Sequence, residues 1–345
     1  MFQTIDELFQ YINANYANIV CSKDSIKEVW RNAGTLGVFS CQQEGYSKYL
    51  LDKLCEYDIY DFPFWLQREV ILYLLKRYGT ESQKNKYLEG LESGDIIASL
   101  ALTEESGGSD FKNIRSFFNA ISSTLSGEKR FITNAAFADI FFFAAKNSDE
   151  KIGIWIIESS KDVIINPINS IHEISALGFS EVKIQDILVE PSMLLGNMDN
   201  CLLYVVKALS FERYCCAYMA FQMSAKLWEQ NLKWIKKRGT LWDKQSVKFK
   251  MAEFSCSIKS LNIYFASLYG KFERKSNIFS DAAMLKYQSV NLALEITQFS
   301  ALLRAGEFAS LDIDKNVNQM YNTIMTLAAA GGTQEVMLRI ISEGL

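Results

Sequence analysis

The chain has 345 residues, 49% hydrophobic and 22% charged, with a formal net charge of −4. That length can bury a sizeable core in one large domain or two to three small ones. The near balance of 36 basic and 40 acidic residues argues against nucleic acid or an anionic membrane surface as a partner. The single histidine, His172, excludes a His-rich metal cluster, and seven cysteines with no CxxC spacing predict reduced thiols of a cytoplasmic protein rather than a disulfide framework or a zinc site.

The N-terminal stretch "MFQTIDELFQYINANY" has no basic region followed by an apolar one, so no signal peptide is expected there. Apolar runs such as "DIFFFAAK" are too short to span a bilayer. Over residues 1–94 apolar positions recur at three and four ("IDELFQYI", "YLLDKLCEY", "WLQREVILYLLKRYG"), which predicts a domain of amphipathic helices. Gly79, after Lys76, Arg77 and Tyr78, reads as a helix stop, and "ESQKNKYLEGL" as a further short helix.

The pattern changes over residues 95–194. "DIIASLAL", "SFFNAISST", "ADIFFFAAK", "IGIWIIES" and "SEVKIQDILV" are short runs rich in β-branched and aromatic residues, separated by Gly, Ser, Asn and Asp. They predict an antiparallel β-domain, with "LSGEKRF" as a hairpin. The helical period returns over residues 195–345, where three or four long segments with short connections predict an antiparallel four-helix bundle. The fold class expected is therefore α+β and mostly helical, in the order helices, strands, helices.

Three motifs in that order resemble the acyl-CoA dehydrogenase family of flavoproteins. They are "GTESQKNKYLEGLESGDIIASLALTEESGGSD", "LSGEKRFITNAAFADIFFFAAK" and "LGFSEVKIQDILVEPSMLLG". Taken alone, "TEESGGSD" is only a turn between strands. The resemblance implies FAD as cofactor, with Phe131 against the flavin ring and Thr133 at its N5 edge. Leu102 and Thr103 would then meet the pyrimidine side. Gly108 and Ser109 would lie near the pyrophosphate and the pantetheine arm, where a small residue lets backbone N–H groups approach.

The family removes the α-proton of an acyl thioester with a carboxylate while the β-hydrogen leaves as hydride. Most members carry that carboxylate in a Glu-Gly-Thr triplet near the C-terminus. The matching text here is "AAAGGTQEV": Gly332 and Thr333 match, with Thr333 implied as a cofactor contact, and the base position is Gly331. In "LSFERYCCAYMAFQ", Glu212 precedes Arg213, as in the isovaleryl-CoA and long-chain branch, which holds its base on the first long helix of the bundle. Glu212 would be that base. Gly331 would keep its backbone N–H for the thioester oxygen. Its own helix offers Glu212 the neighbours Ala208, Leu209, Cys216, Met219 and Ala220, with no cation, which predicts a desolvated carboxylate and room for an acyl chain at Cys216. Arg213 projects about 100° away around the helix and is expected to order a loop or helix end, and the resemblance counts it with Ser109, Ser210 and Cys216 around the substrate.

Departures from the family pattern cluster in the cofactor's inter-subunit region. The Arg-x-x-Phe-Gly turn is replaced by "WIKKRGTLWDKQSV", in which Arg238 and Gln245 would meet FAD, or Arg238 would belong to a solvated charge run with Lys236 and Lys237. The Gly-Gly-x-Gly element is replaced by "LLRAGEFAS", and the Asp that meets pantetheine is Ser210. The reading is an FAD-dependent acyl-thioester α,β-dehydrogenase acting on CoA or acyl-carrier-protein substrates. It would pass electrons to an electron-transfer flavoprotein or oxygen and assemble as a homodimer or homotetramer. A flavin monooxygenase on the same fold and a non-catalytic partner subunit are the alternatives.

Overall fold

The computed structural model of the chain describes residues 2–108, 113–168, 175–304 and 315–345. They form two compact units, Met1–Leu209 and Ser210–Leu345.

The first unit begins with α1 (Ile5–Val20), α2 (Lys23–Thr35) and α3 (Tyr46–Glu56), then a π-helical turn (Leu66–Ile71) that runs into α4 (Leu72–Tyr78), and α5 (Glu81–Ser93). Thr4 and Ser22 cap α1 and α2, and Thr80 with Gln83 forms a capping box on α5. The helices bury their periodic apolar faces, and Trp30 stacks on Phe39 at 5.2 Å within that core. Gln67, fully buried in the π-helical turn, donates to the Leu91 and Ile96 carbonyls and accepts from the Ala98 N–H. One amide thus satisfies the chain end of α5 and fixes where the first strand starts.

Seven strands follow: β1 (Ala98–Ala101), β2 (Phe117–Asn119), β3 (Thr124–Ile132), β4 (Ile140–Lys146), β5 (Ile152–Glu158), β6 (Val163–Pro167) and β7 (Ser180–Leu188). Their order is β1-β4-β2-β3-β7-β6, with β5 also on β4. Buried Phe141, Phe143, Trp155, Val182 and Ile184 form its core. Two expectations need correction, and one strand had not been expected. The sheet is mixed: β1 pairs with β4 in parallel, Leu100 opposite Phe142, because the chain makes the β2–β3 hairpin before it returns as β4. "LSGEKRF" is not a hairpin but the middle of β3. Gly127 is there for a close approach, since a Cβ on it would meet Ser116 Oγ at 2.1 Å, and the β3–β7 register shifts beside it. The strand β6, "VIINP", carries too short an alternation to stand out in the sequence.

The second unit holds α6 (Cys201–Lys237) from Ser210 onward, with α7 (Gln245–Glu273), α8 (Phe279–Arg304), α9 (Lys315–Ala329) and the short α10 (Gln334–Ser342). Tyr214 stacks on Phe272 at 4.2 Å and Tyr218 meets Phe265 edge-on at 5.2 Å, joining α6 to α7. The helix α8 packs against α7, α9 and α10. At the far end of α6, Arg304 donates to Asn231 (2.7 Å), which donates to Ser300 (2.6 Å), so three buried polar groups satisfy one another. Among the described residues no helix is long and apolar enough to cross a membrane.

Candidate active site

Two clusters of the expected residues form, one in each unit. In the first unit, β1 and the end of β3 are tied together. The Arg130 N–H donates to the Thr103 carbonyl (2.8 Å), the Ser99 hydroxyl to the Thr133 carbonyl (2.8 Å), and the Lys129 ammonium to the Leu102 carbonyl (3.2 Å). This gathers Leu102, Thr103, Phe131 and Thr133. Gly108 joins them: a Cβ on it would lie 2.8 Å from Thr103 Oγ1. Ser109 and His172 lie outside the described residues.

A buried ion pair supports that cluster. Lys129 Nζ meets Glu104 Oε1 at 2.8 Å, and Glu104 also accepts from the Arg115 and Ser116 N–H groups and the Ser116 hydroxyl. Burial opposes ionisation of Glu104, but Lys129 and the three other donors outweigh it and bring the carboxyl down to about 2. Lys129 fares differently: its own desolvation outweighs the attraction of Glu104 and brings the ammonium down to about 8. The pair therefore fixes the loop after β1 at a cost to the lysine, and its contribution is positional more than energetic.

Phe131 is the strained residue of this cluster. Its φ is +56°, a genuine outlier for a bulky side chain, yet the residue is 56% exposed, with the Arg130 guanidinium 5.4 Å from its ring centroid. The Thr103 and Thr133 hydroxyls find no partner among the described residues. A flat apolar ring held out by a strained backbone, with two open hydroxyls and a close glycine beside it, is a donor set that fits an isoalloxazine edge.

In the second unit, Glu212 and Gly331 are brought together although 119 positions apart. A Cβ built on Gly331 would lie 3.5 Å from Glu212 Cγ and Cδ and 3.3 Å from Arg213 Cγ. Gly331 has φ +66° and Gly332 φ +108°, so the turn between α9 and α10 uses backbone conformations open to glycine. The Gly331 N–H has no acceptor among the described residues, and Arg213 Nε donates to the Gly331 carbonyl at 2.8 Å.

Burial raises the Glu212 carboxyl above its ordinary range, and Lys286 and Arg213 pull it part of the way back. Glu212 as a whole residue is only partly covered, although its carboxyl lies deep enough for burial to dominate its ionisation. Desolvation brings Arg213 down to about 10 against the attraction of Glu212. Cys216, one turn on and fully buried, is pushed up to about 12 by burial and acts as a small apolar side chain. Ser210 is buried one turn before Arg213.

Arg213 and Glu212 thus flank the same glycine. The loop that Arg213 orders is the one facing Glu212. The expectation of no cation near Glu212 is corrected, because it considered only neighbours on the same helix. Lys286 comes from α8, where "AAMLKYQSV" gives no sign that its lysine is buried.

Thr333 occupies the N-cap position of α10 beside this turn, without a side-chain capping bond. Arg238 and Gln245 are not brought to Glu212. Arg238 follows the end of α6, roughly 40 Å along that helix, and lies over the Trp234 ring at 4.4 Å, while Gln245 is exposed at the start of α7.

The chain matches the acyl-CoA dehydrogenase middle domain over residues 99–187 and the acyl-CoA dehydrogenase C-terminal domain over residues 202–345, together more than half of its length. It is 24% identical to the mitochondrial long-chain specific acyl-CoA dehydrogenase of Sus scrofa, covering 92% of this chain and 78% of that one. It is also 24% identical to the L-prolyl-[peptidyl-carrier protein] dehydrogenase of a Serratia species, covering 79% and 72%. The solved structure of PigA with FAD and proline superposes with a TM-score of 0.85 over 97% of this chain and 92% of that one, at 21% identity. The chain belongs to the acyl-CoA dehydrogenase family, oxidoreductases that act on the CH–CH bond of an acyl thioester.

Proposed function

We propose that this protein is an FAD-dependent α,β-dehydrogenase of an acyl thioester, with Glu212 as the base and its site arranged as in the long-chain and isovaleryl branch. The observation that supports this most is the 3.5 Å approach of Glu212 Cγ and Cδ to the Cβ position of Gly331. A side chain at residue 331 and the carboxyl of residue 212 would compete for one space. The glycine leaves that space to Glu212.

The chain's own part in the reaction follows from this arrangement. A desolvated carboxylate is a stronger base than one in water, so Glu212 would take the α-proton of a thioester seated beside the turn. Removing that proton places negative charge on the thioester oxygen. The unpartnered Gly331 N–H is the donor available to stabilise it, as an oxyanion-hole donor would. Cys216 and Ala220, small and fully buried on the same helix, leave width for the acyl chain. FAD, when bound, accepts the hydride that leaves the β-carbon. Phe131, Thr133, Leu102 and Thr103 would hold its ring.

The carrier is CoA or a carrier protein. Ser210, where an Asp often meets pantetheine, favours the carrier protein, as does the similarity to the prolyl-carrier-protein dehydrogenase. Electron transfer to an electron-transfer flavoprotein or oxygen, and assembly as a homodimer or homotetramer, belong to the same proposal. Acceptor assays and light scattering read them directly.

The purified protein should be yellow, and an acyl thioester should bleach the flavin under anaerobic conditions. Glu212→Gln should retain FAD and lose the bleaching. A colourless protein that takes up no added FAD sinks the reading, and bleaching at an unchanged rate in Glu212→Gln removes Glu212 from the mechanism. Presenting one acyl group on CoA and on carrier protein distinguishes the two carriers.

A further inference from the structure

Lys286 is completely buried on α8, and its ammonium is spent on the backbone of one turn. It donates to the Ala328 carbonyl (3.2 Å) and to the Ala330 and Gly332 carbonyls, the acceptors left over at the C-terminus of α9. Burying an ammonium is costly, and a neutral cap would close a helix end more cheaply. Desolvation accordingly brings Lys286 down to about 8, against the attraction of Glu212 and with the repulsion of Arg213.

The bond to Ala330 matters most. The Ala330 carbonyl and the Gly331 N–H belong to one planar trans peptide, so they point in opposite directions. Fixing the carbonyl on Lys286 fixes the N–H away from Lys286. Arg213, on the Gly331 carbonyl, pins the next peptide plane. Two consecutive planes in a turn at φ +66° and +108° are therefore held by two buried cations from two helices. Glycines at both positions would otherwise let the 330–331 peptide rotate.

We infer that Lys286 is a positioning residue: by holding the Ala330 carbonyl it orients the Gly331 N–H that receives the thioester oxygen. This rests on the reading of Gly331 as that donor and Glu212 as the base. Lys286 does not touch the substrate in this role. A merely structural lysine would change stability without changing how strongly the bound carbonyl is polarised.

The test uses an acyl thioester labelled with 13C at its carbonyl, bound to the FAD-loaded Glu212→Gln protein, in which no turnover is expected. The infrared carbonyl stretch should fall on binding. Adding Lys286→Met should remove at least half of that downshift. In the Glu212 background the same substitution should slow anaerobic bleaching about tenfold to a hundredfold, less than or comparable to loss of a whole oxyanion donor. Lys286→Gln, which keeps a donor at the turn, should lose less of both and replaces the methionine variant if that does not fold. Asn231→Ala, which breaks the other buried polar network, should lower the unfolding midpoint and leave the carbonyl band in place. An unchanged downshift in a folded Lys286 variant overturns the inference while leaving the dehydrogenase reading intact. Turnover by Glu212→Gln overturns both.

Discussion

Gly331→Ala tests whether the α9–α10 turn must carry glycine because of Glu212. An alanine at φ +66° enters the left-handed region at a cost of about 1–2 kcal/mol. Its methyl would sit 3.3 Å from Arg213 Cγ and 3.5 Å from Glu212 Cγ and Cδ. The first contact requires a shift of a few tenths of an ångström, and the second leaves the carboxylate less freedom. Misplacing a reacting group by 1 Å can cost about a hundredfold, so the bleaching rate should fall about tenfold. Gly332→Ala is the control. Its φ of +108° suits an L-residue even less, and its methyl would meet Val336 Cγ1 at 3.1 Å and Met337 Cε at 3.2 Å. It should cost at least as much stability and clearly less rate. Urea unfolding followed by circular dichroism gives the stabilities, flavin absorbance the FAD content, and single-turnover anaerobic bleaching the rates. A rate loss in Gly332→Ala as large as in Gly331→Ala, or none in Gly331→Ala, would refute the argument that Gly331 makes room for Glu212.

Glu212→Gln should raise the thermal midpoint, because burial disfavours the carboxylate in the folded protein. The folded pKa lies above the ordinary value, so this group loses stability for the fold as pH rises through that raised pKa, and the gain from glutamine should grow across the same window. Lys129→Met should destabilise by about 3–5 kcal/mol in urea unfolding, since it leaves Glu104 buried and unpaired. The Glu104→Gln, Lys129→Met double variant should recover part of that loss. Glu104 is held down to about 2, so its contribution is complete above its ordinary value near 4.5 and is lost as pH falls towards 2. Acid unfolding of wild type against Glu104→Gln measures this. Cys216→Leu should shift preference towards shorter acyl groups in a chain-length series, because it fills a fully buried position one turn from Glu212.

Much of this was legible from local pattern. The 3.6-residue period marked the helices of residues 5–93 and the long helices from Cys201 onward, because one face of each had to be buried. The runs "DIFFFAAK" and "IGIWIIES" marked β4 and β5 for the same reason with a period of two or none. What stayed hidden depends on partners distant in the chain. Gly127 resembles a turn glycine until Ser116 is found against it, and the parallel pairing of β1 with β4 is a property of the path between them. Phe131 and Thr133 stand out in the sequence only through the family motif, and the φ of +56° that sets Phe131 apart from its strand neighbours has no sequence signal. Lys286 gave no signal at all, since a lysine in a helix is solvated in most contexts and nothing in "AAMLKYQSV" shows which face α9 will cover.

A base carried on a helix and a base carried on the α9–α10 turn make different demands on that turn. A glutamate at residue 331 would need the turn only as its own support, and its Cβ would occupy the space beside Glu212. With the carboxylate on α6, the turn must come close without a side chain, which leaves two adjacent glycines and little intrinsic stiffness. Stiffness then has to come from outside the turn. Arg213 supplies it from the residue next to the carboxylate, and Lys286 from α8. Both cations also stabilise the ionised Glu212 that their burial makes accessible to few other partners. On the proposed reading, glycine at residue 331 is therefore coupled to the charges at residues 212, 213 and 286. A double-mutant cycle between Gly331→Ala and Lys286→Gln should show an interaction energy of about 0.5–3 kcal/mol in unfolding, as expected for groups sharing one backbone turn. Strict additivity would break the link between the two.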